Sequence, residues 1–110
     1  MTIQDLLLSE FNEDFVQHMK DSMCMSYFKY GHINNYVSNQ SLDYINKELE
    51  AFNEDHNTEH MVNVANYAMI RYMLPKSNEH YNATDSNKST HNVKEQSVND
   101  WLRNDILNNN

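Results

Sequence analysis

Glycine and proline are almost absent from this chain: among 110 residues there is one of each, Gly31 and Pro75. An all-β fold needs turn residues at short, regular intervals, because hairpin turns use backbone conformations that these residues favour. Helices need few of them, and long stretches of the chain space their apolar side chains at helical intervals. The sequence therefore predicts an all-α fold, a small bundle of four to five helices in a single domain over residues 1–110.

Capping signals define the first two helices. Thr2, followed three residues later by Asp5, predicts a capping box at the start of a first helix that ends near Glu10. Asn12 is a favoured N-cap for a second helix, and Gly31 is its natural end because glycine accepts positive φ. The two segments are read either as separate helices or as one kinked helix.

A helix pair is predicted next. Residues 32–40 are polar and rich in Asn, which indicates a loop, and a third helix is expected to start near Ser41. A fourth helix should follow the acidic turn at residues 53–57 and end at Pro75. The apolar stripes expected to face other helices are Leu42, Ile45, Leu49 and Phe52, and then Met61, Ala65, Ala68 and Tyr72. The narrow stripe on the third helix also leaves homodimerisation open.

The segment at residues 76–96 is polar and has no helical or strand period. It is predicted to be a long loop or linker within the domain. A short amphipathic helix that begins at Ser97 should follow, and Trp101 and Leu102 are expected to dock it onto the bundle.

The chain is acidic, with 16 Asp and Glu against 8 Lys and Arg and a formal net charge of −8. Such a chain should repel DNA and anionic membranes and favour a basic partner. It shows neither a membrane-spanning stretch nor a signal peptide, so a cytoplasmic location is expected. The single cysteine, Cys24, allows no internal disulfide and is predicted to be a small buried side chain.

Two local patterns bear on chemistry and binding. Residues 56–60 match the inverted zinc-protease motif H-x-x-E-H, but the Asn57-Thr58 pair predicts a helix start, which favours a capped turn with exposed histidines. Aromatic residues surround the Gly31 turn and are expected to pack in the core and at its rim: Tyr27, Phe28, Tyr30, Tyr36 and Tyr44.

Carboxylates concentrate where the third helix meets the fourth. No catalytic residue is predicted among them, and a partner-binding role is favoured because clustered carboxylates compete with phosphates for Lys and Arg side chains. The predicted partner-binding residues are Glu48, Glu50, Glu54, Asp55 and Glu59.

Three stretches carry a resemblance to an enzyme family: Lys29-Tyr30-Gly31, Leu49-Glu50, and the run from His60 to Asn66. Together they resemble the helical core of MazG-like and phage dATP/dGTP pyrophosphohydrolase proteins. The resemblance implies nucleotide binding or hydrolysis with Mg²⁺, and the ligands would be Glu50, Glu54, Glu59 and Asn63. His60 and Asn63 stand where the family has Glu and Asp, so the carboxylate motif is incomplete and an enzyme is the less favoured interpretation.

A longer resemblance runs from Asn57 to Met73, with Pro75 and residues 83–86. This stretch is similar to small proteins of phages that infect low-GC Gram-positive bacteria. It implies a phage origin, and with the acidic charge it suggests a host-directed inhibitor, such as an anti-CRISPR protein, that occludes a basic nucleic-acid-binding surface. The nucleotide pyrophosphohydrolase is kept as the alternative.

Overall fold

The computed structural model describes residues 1–83, which form four α-helices and no strands: α1 (Ile3–Glu10), α2 (Glu13–Tyr30), α3 (Asn35–Asp55) and α4 (Glu59–Met73). The predicted all-α class is confirmed. Residues 13–81 form one compact unit that contains α2, α3 and α4, while α1 belongs to a second unit. None of the described helices combines the length and apolar character needed to cross a membrane. The helix predicted after Ser97 and the segment from residue 84 onward lie outside the described residues.

The boundaries of α1 and α2 follow the capping signals. The Asp5 N–H donates to the Thr2 hydroxyl at 3.1 Å, and the Thr2 N–H donates to the Asp5 carboxylate at 3.2 Å, as a capping box requires. Phe11 is extended and separates the two helices. Gly31 ends α2 with φ of 83°, and its N–H donates to the Tyr27 carbonyl at 2.8 Å. The predicted capping box and the predicted end at Gly31 are confirmed. Both were predictable because each involves residues close together in sequence.

The start of α3 differs from the prediction. The helix begins at Asn35, because the Asn34 side chain accepts a hydrogen bond from the Val37 N–H at 3.0 Å and caps it. The loop predicted for residues 32–40 is therefore wrong from residue 35 onward. The first turns of α3 bury Ser38 and Ser41 instead of apolar side chains. Apolar periodicity does not predict a buried serine, because serine is a polar residue.

The buried face of α4 also differs. Its buried residues are Val62, Asn66 and Ile70, spaced four apart and so aligned on one side of the helix. The predicted stripe is wrong at its C-terminal end, where Ala68 and Tyr72 are exposed. The polar Asn66 at the centre of the true buried face explains the error.

Residues 13–81 bury few apolar side chains completely. α3 and α4 pair most extensively, and α2 packs against α4 over a smaller area. Across the described residues, Val62 and Ile70 are the buried apolar side chains. Leu42 and Leu49, predicted to lie in the seam of α3, are 56% and 40% exposed. Most of the apolar side chains between the helices are therefore only half-buried, and polar contacts add to the packing.

Several residues predicted to be buried lie at the surface instead. Cys24 is exposed. The predicted packing of the aromatic residues around Gly31 in the core and rim is also wrong for most of them, because Phe28 and Tyr30 are each 82% exposed and Tyr36 is 67% exposed. Of the five aromatic residues in that prediction, Tyr44 is the one that is partly covered. α2 has no buried residue along its 18-residue length.

Replacing Ser38 with alanine tests the polar junction between α3 and α4. The buried Ser38 hydroxyl donates to the Leu74 carbonyl just beyond the end of α4. We expect Ser38→Ala to reduce the free energy of unfolding by about 1–2 kcal/mol, because a carbonyl loses its donor in a part-buried place. Urea unfolding measures this loss. The exposed Ser77→Ala serves as control, and equal stability of the two variants would contradict the structural role of Ser38.

Candidate functional site

His60, the second residue of α4, lies between two carboxylates of α3. Its Nδ1 is 2.6 Å from a Glu48 oxygen, and its Nε2 is 2.9 Å from an Asp55 oxygen. Ionised carboxylates only accept hydrogen bonds, so both ring nitrogens must donate and the imidazole is a cation in this arrangement. The hydrogen bonds that the ring donates to Asp55 and then to Glu48 accordingly raise the pKa of His60 above its usual 6.5. The three side chains form an ion-paired cluster, called here the His60 cluster.

A tight turn between α3 and α4 builds this cluster. His56 adopts the left-handed conformation, with φ of 58°, and its N–H donates to the Phe52 carbonyl. The Asn57 N–H then donates to the Asp55 carboxylate at 2.8 Å, and the Asn57 side chain accepts from the Glu59 N–H at 3.0 Å. Asn57 or Thr58 was the predicted cap: Thr58 occupies the N-cap position without a side-chain cap bond, and Asn57 supplies the side-chain hydrogen bond at this helix start. Hydrogen bonds from His60 and Asn57 lower the pKa of Asp55 below its usual value.

Both His56 and His60 were predicted to be exposed, and this is confirmed for His56 and wrong for His60. His56 is exposed, as predicted for the capped turn. His60 is not, because 19% of its side chain is exposed and both ring nitrogens are paired. Its partner Glu48 lies twelve residues earlier, and the pairing follows only once the register of the α3–α4 hairpin is known.

Two of the five predicted partner-binding carboxylates are therefore engaged within the protein. Glu48 accepts from His60 and also from the Asn63 side chain at 3.3 Å. Asp55 accepts from His60 but keeps about half of its side chain exposed. Glu48 links α3 to α4 within the hairpin, and 22% of its side chain is exposed.

Glu50 and Glu54 form a separate exposed pair on α3. They are four residues apart and therefore neighbours on the helix surface, about half a turn away from the side that carries Glu48. Lys47, nearby on the same helix, has its ammonium 5.8 Å from the centre of the Tyr44 ring. The sequence between Glu48 and Arg71 contains no Lys or Arg. Glu50 and Glu54 are called the acidic face below.

Glu59 lies in a third place. It lines an open groove between α2 and the start of α4, together with Asp21 and Lys29. No residue of α3 lines this groove. The five carboxylates that are close in sequence thus occupy three different environments.

The residues named for Mg²⁺ are distributed in the same way. Glu50 and Glu54 are on the acidic face, whereas Glu59 and Asn63 both line the groove. The Asn63 amide also donates to Glu48. Within residues 1–83, no three His, Cys, Asp or Glu side chains converge in a way that could hold a metal ion.

A second ion-paired cluster lies at the other end of the α3–α4 hairpin. The Arg71 guanidinium donates to both oxygens of Glu79, at 2.8 and 2.6 Å, and to the Ser38 carbonyl at 2.9 Å. Arg71 and then the Lys76 N–H lower the pKa of Glu79 from 4.5 to about 2. This pair was not predicted, because Glu79 falls in a segment without any regular pattern. Residues 76–79 form a turn, in agreement with the predicted loop, and Glu79 bonds back to Arg71 of α4.

The described residues thus contain two internal ion-paired clusters, and the acidic face is one of several places where they expose carboxylates. Comparison of the chain with models of protein families, with curated proteins and with solved structures finds no match. The clusters connect elements within the protein, whereas the acidic face and the exposed aromatic side chains of α2 are among the groups on its surface.

Proposed function

We propose that this protein is a phage-encoded interaction protein that acts in the host cytoplasm by occluding a basic surface of a nucleic-acid-binding or defence protein, in the manner of an anti-CRISPR protein. The observation that carries the proposal is the acidic face. Glu50 and Glu54 are exposed neighbours on one helix, and their carboxylates match the Lys and Arg side chains that otherwise bind phosphates.

The charge of the whole chain supports the same partner. A net charge of −8 attracts a basic surface over a distance of about one Debye length and raises the rate of association. It also disfavours direct binding to DNA or RNA. The acidic face then supplies the local contacts after the encounter.

Exposed aromatic side chains on α2 supply anchors that charge alone does not provide. Phe28 and Tyr30 project from the last turn of α2, and Met25 is 58% exposed one turn earlier. Large aromatic side chains dominate the energetics of protein interfaces, and Met adapts to irregular partner surfaces. One side of α2 packs against α4, and the exposed side chains Met25, Phe28 and Tyr30 are the part of its surface that a partner or a second copy would contact. Homodimerisation stays a prediction.

The alternative, a MazG-like nucleotide pyrophosphohydrolase, also stays a prediction. It requires carboxylates from two helices to converge around Mg²⁺. Glu50 and Glu54 instead face away from α4, and Glu59 lines a groove without α3 residues. No observation in the described residues favours it over the interaction protein.

Neutralising the acidic face tests the proposal. The full-length protein, immobilised through a tag, is exposed to a lysate of a low-GC Gram-positive bacterium, and the captured protein is identified and purified. We expect a nucleic-acid-binding protein that is released by high salt. Glu50→Gln/Glu54→Gln should weaken its binding by about tenfold, mainly through a slower association rate.

The matched control is Glu13→Gln/Asp14→Asn, which removes two exposed carboxylates from the start of α2 and changes the net charge equally. We expect it to bind almost as well as the unaltered chain. Equal losses in both variants would show that only net charge matters and would contradict a defined acidic face. A captured protein that still binds its nucleic acid in the complex would contradict occlusion.

A further inference from the structure

A groove of about 800 Å³ lies between one side of α2 and the start of α4. All of its lining residues belong to the compact unit of residues 13–81, and the volume falls within the range of small-molecule sites. Neither Glu50 nor Glu54 lines it, so the inference below does not depend on the acidic face or on the function proposed from it.

The α2 wall of this groove carries opposite charges at its two ends. Asp21, Met25 and Lys29 follow one another at intervals of four residues, and all three are exposed and line the groove. Because a helix rises about 1.5 Å per residue, Asp21 and Lys29 are about 12 Å apart along the axis, with the apolar Met25 between them. Among the described residues neither charge forms an ion pair, since Asp21 accepts its hydrogen bond from the neutral Gln17 amide at 2.9 Å.

The rest of the lining combines an apolar contact with many hydrogen-bonding groups. Val62 lines the groove from α4 and, together with Met25, offers contact to an aliphatic side chain. Glu59 adds a second carboxylate on the α4 side. The polar residues of the lining include His18, Ser22, Ser26, Asn57, Thr58 and Asn63. Their hydroxyl, amide and imidazole groups can both donate and accept hydrogen bonds.

We propose that this groove binds a short extended peptide of about three to four residues with free termini, its ammonium at Asp21 and its carboxylate at Lys29. An extended chain spans about 3.3–3.6 Å per residue, so three to four residues cover about 10–14 Å, which matches the separation of the two charges. The peptide N–H and C=O groups pair with the polar lining, and an aliphatic side chain packs on Met25 and Val62.

The separation of the two charges distinguishes this ligand from simpler ones. A phosphate or another small anion would meet Lys29 but would also face Asp21 and Glu59. A small cation would meet the carboxylates and leave Lys29 without a partner. An internal segment of a protein has no charged termini to place at the two ends of the α2 wall. A ligand with one positive and one negative end compensates both charges.

Peptides with blocked termini test the two charges separately. The full-length protein is labelled with ¹⁵N and titrated with the tripeptide Ala-Leu-Ala, with its N-acetylated form and with its C-terminal amide. We expect Ala-Leu-Ala to shift the amide signals of Ser22, Met25 and Ser26. Each blocked form should bind about tenfold more weakly, because it loses one charge-assisted hydrogen bond. Equal binding of the three peptides, or no shift with Ala-Leu-Ala at millimolar concentration, would overturn the proposal.

Two variants assign the ends of the ligand. Asp21→Asn should weaken binding of Ala-Leu-Ala about tenfold but should barely change binding of the acetylated form, which has no ammonium to lose. Lys29→Gln should behave in the same way toward the C-terminal amide. An Asp21→Asn variant that still discriminates against the acetylated peptide would overturn the assigned direction of the ligand.

The matched controls are Glu13→Gln and Lys20→Gln, because both side chains are exposed on α2 and neither lines the groove. We expect them to bind the three peptides as the unaltered chain does. Equal losses in these controls would show that net charge alone governs binding and would overturn a site in the groove. Circular dichroism identifies any variant that does not fold, in which case the three peptides on the unaltered chain decide.

Discussion

Raising the pH through the titration range of His60 is expected to destabilise the fold. The pKa of His60 is raised above 6.5 in the folded state, because Asp55 and Glu48 stabilise the charged ring. The folded state therefore binds a proton more tightly than the unfolded chain. The stabilisation is complete below about 6.5 and is lost as the pH rises through the folded pKa.

Urea unfolding over a series of pH values measures this effect. The free energy of unfolding should fall with increasing pH, with a slope that approaches about one proton per molecule between the unfolded and folded pKa values. His60→Gln should flatten this part of the profile, whereas His80→Gln, at an exposed histidine, should leave it unchanged. A slope that survives in His60→Gln would mean that another group controls it.

The acid side of the same profile has the opposite sign. Interactions with Arg71 lower the pKa of Glu79 from 4.5 to about 2, and His60 lowers the pKa of Asp55 from 3.8. Each carboxylate therefore stabilises the fold above its unfolded pKa and loses that contribution as the pH falls through its folded pKa. Maximum stability is expected between about 4.5 and 6.5.

Ile70→Ala is expected to be the most destabilising single substitution of an apolar residue. Ile70 is 4% exposed and, with Val62, is one of the two buried apolar side chains among the described residues. Truncation of a buried Ile removes hydrophobic contacts and leaves a cavity, at a cost of about 2–5 kcal/mol. Small domains have only about 5–15 kcal/mol of stability, so much of the fold would be lost.

The control for this substitution is Leu42→Ala, because Leu42 is 56% exposed on α3. Its cost should stay below about 1 kcal/mol in the monomer. Chemical denaturation of both variants, at two protein concentrations, makes the comparison. If Leu42→Ala were equally destabilising and its effect depended on concentration, Leu42 would be buried between two copies of the chain.

Local signals in the sequence were sufficient for the helix ends. The capping box at Thr2, the stop at Gly31 and the cap at Asn57 each involve residues within about one helical turn. Such interactions form wherever the sequence occurs, because they depend little on tertiary packing. The all-α class was predictable from the scarcity of Gly and Pro and from the helical spacing of apolar residues.

The buried faces and the polar clusters were not predictable in this way. Ser38, Ser41 and Asn66 occupy buried positions where apolar periodicity leads one to expect Leu or Val. Glu48 meets His60 across a turn, and Arg71 reaches the Ser38 carbonyl 33 residues away. These contacts depend on how two helices align, and a single sequence carries no direct record of that alignment.

His60 and Arg71 are the two basic side chains of α4, and they lie eleven residues apart. Eleven residues are close to three full turns, so both project from the same side, about 16 Å apart along the axis. Each is bonded to an atom of α3 near one end of the hairpin. Sliding one helix by a single turn would re-form many apolar contacts but would break both attachments at once. The two attachments together therefore favour the observed register of α3 and α4 over a register shifted by one turn.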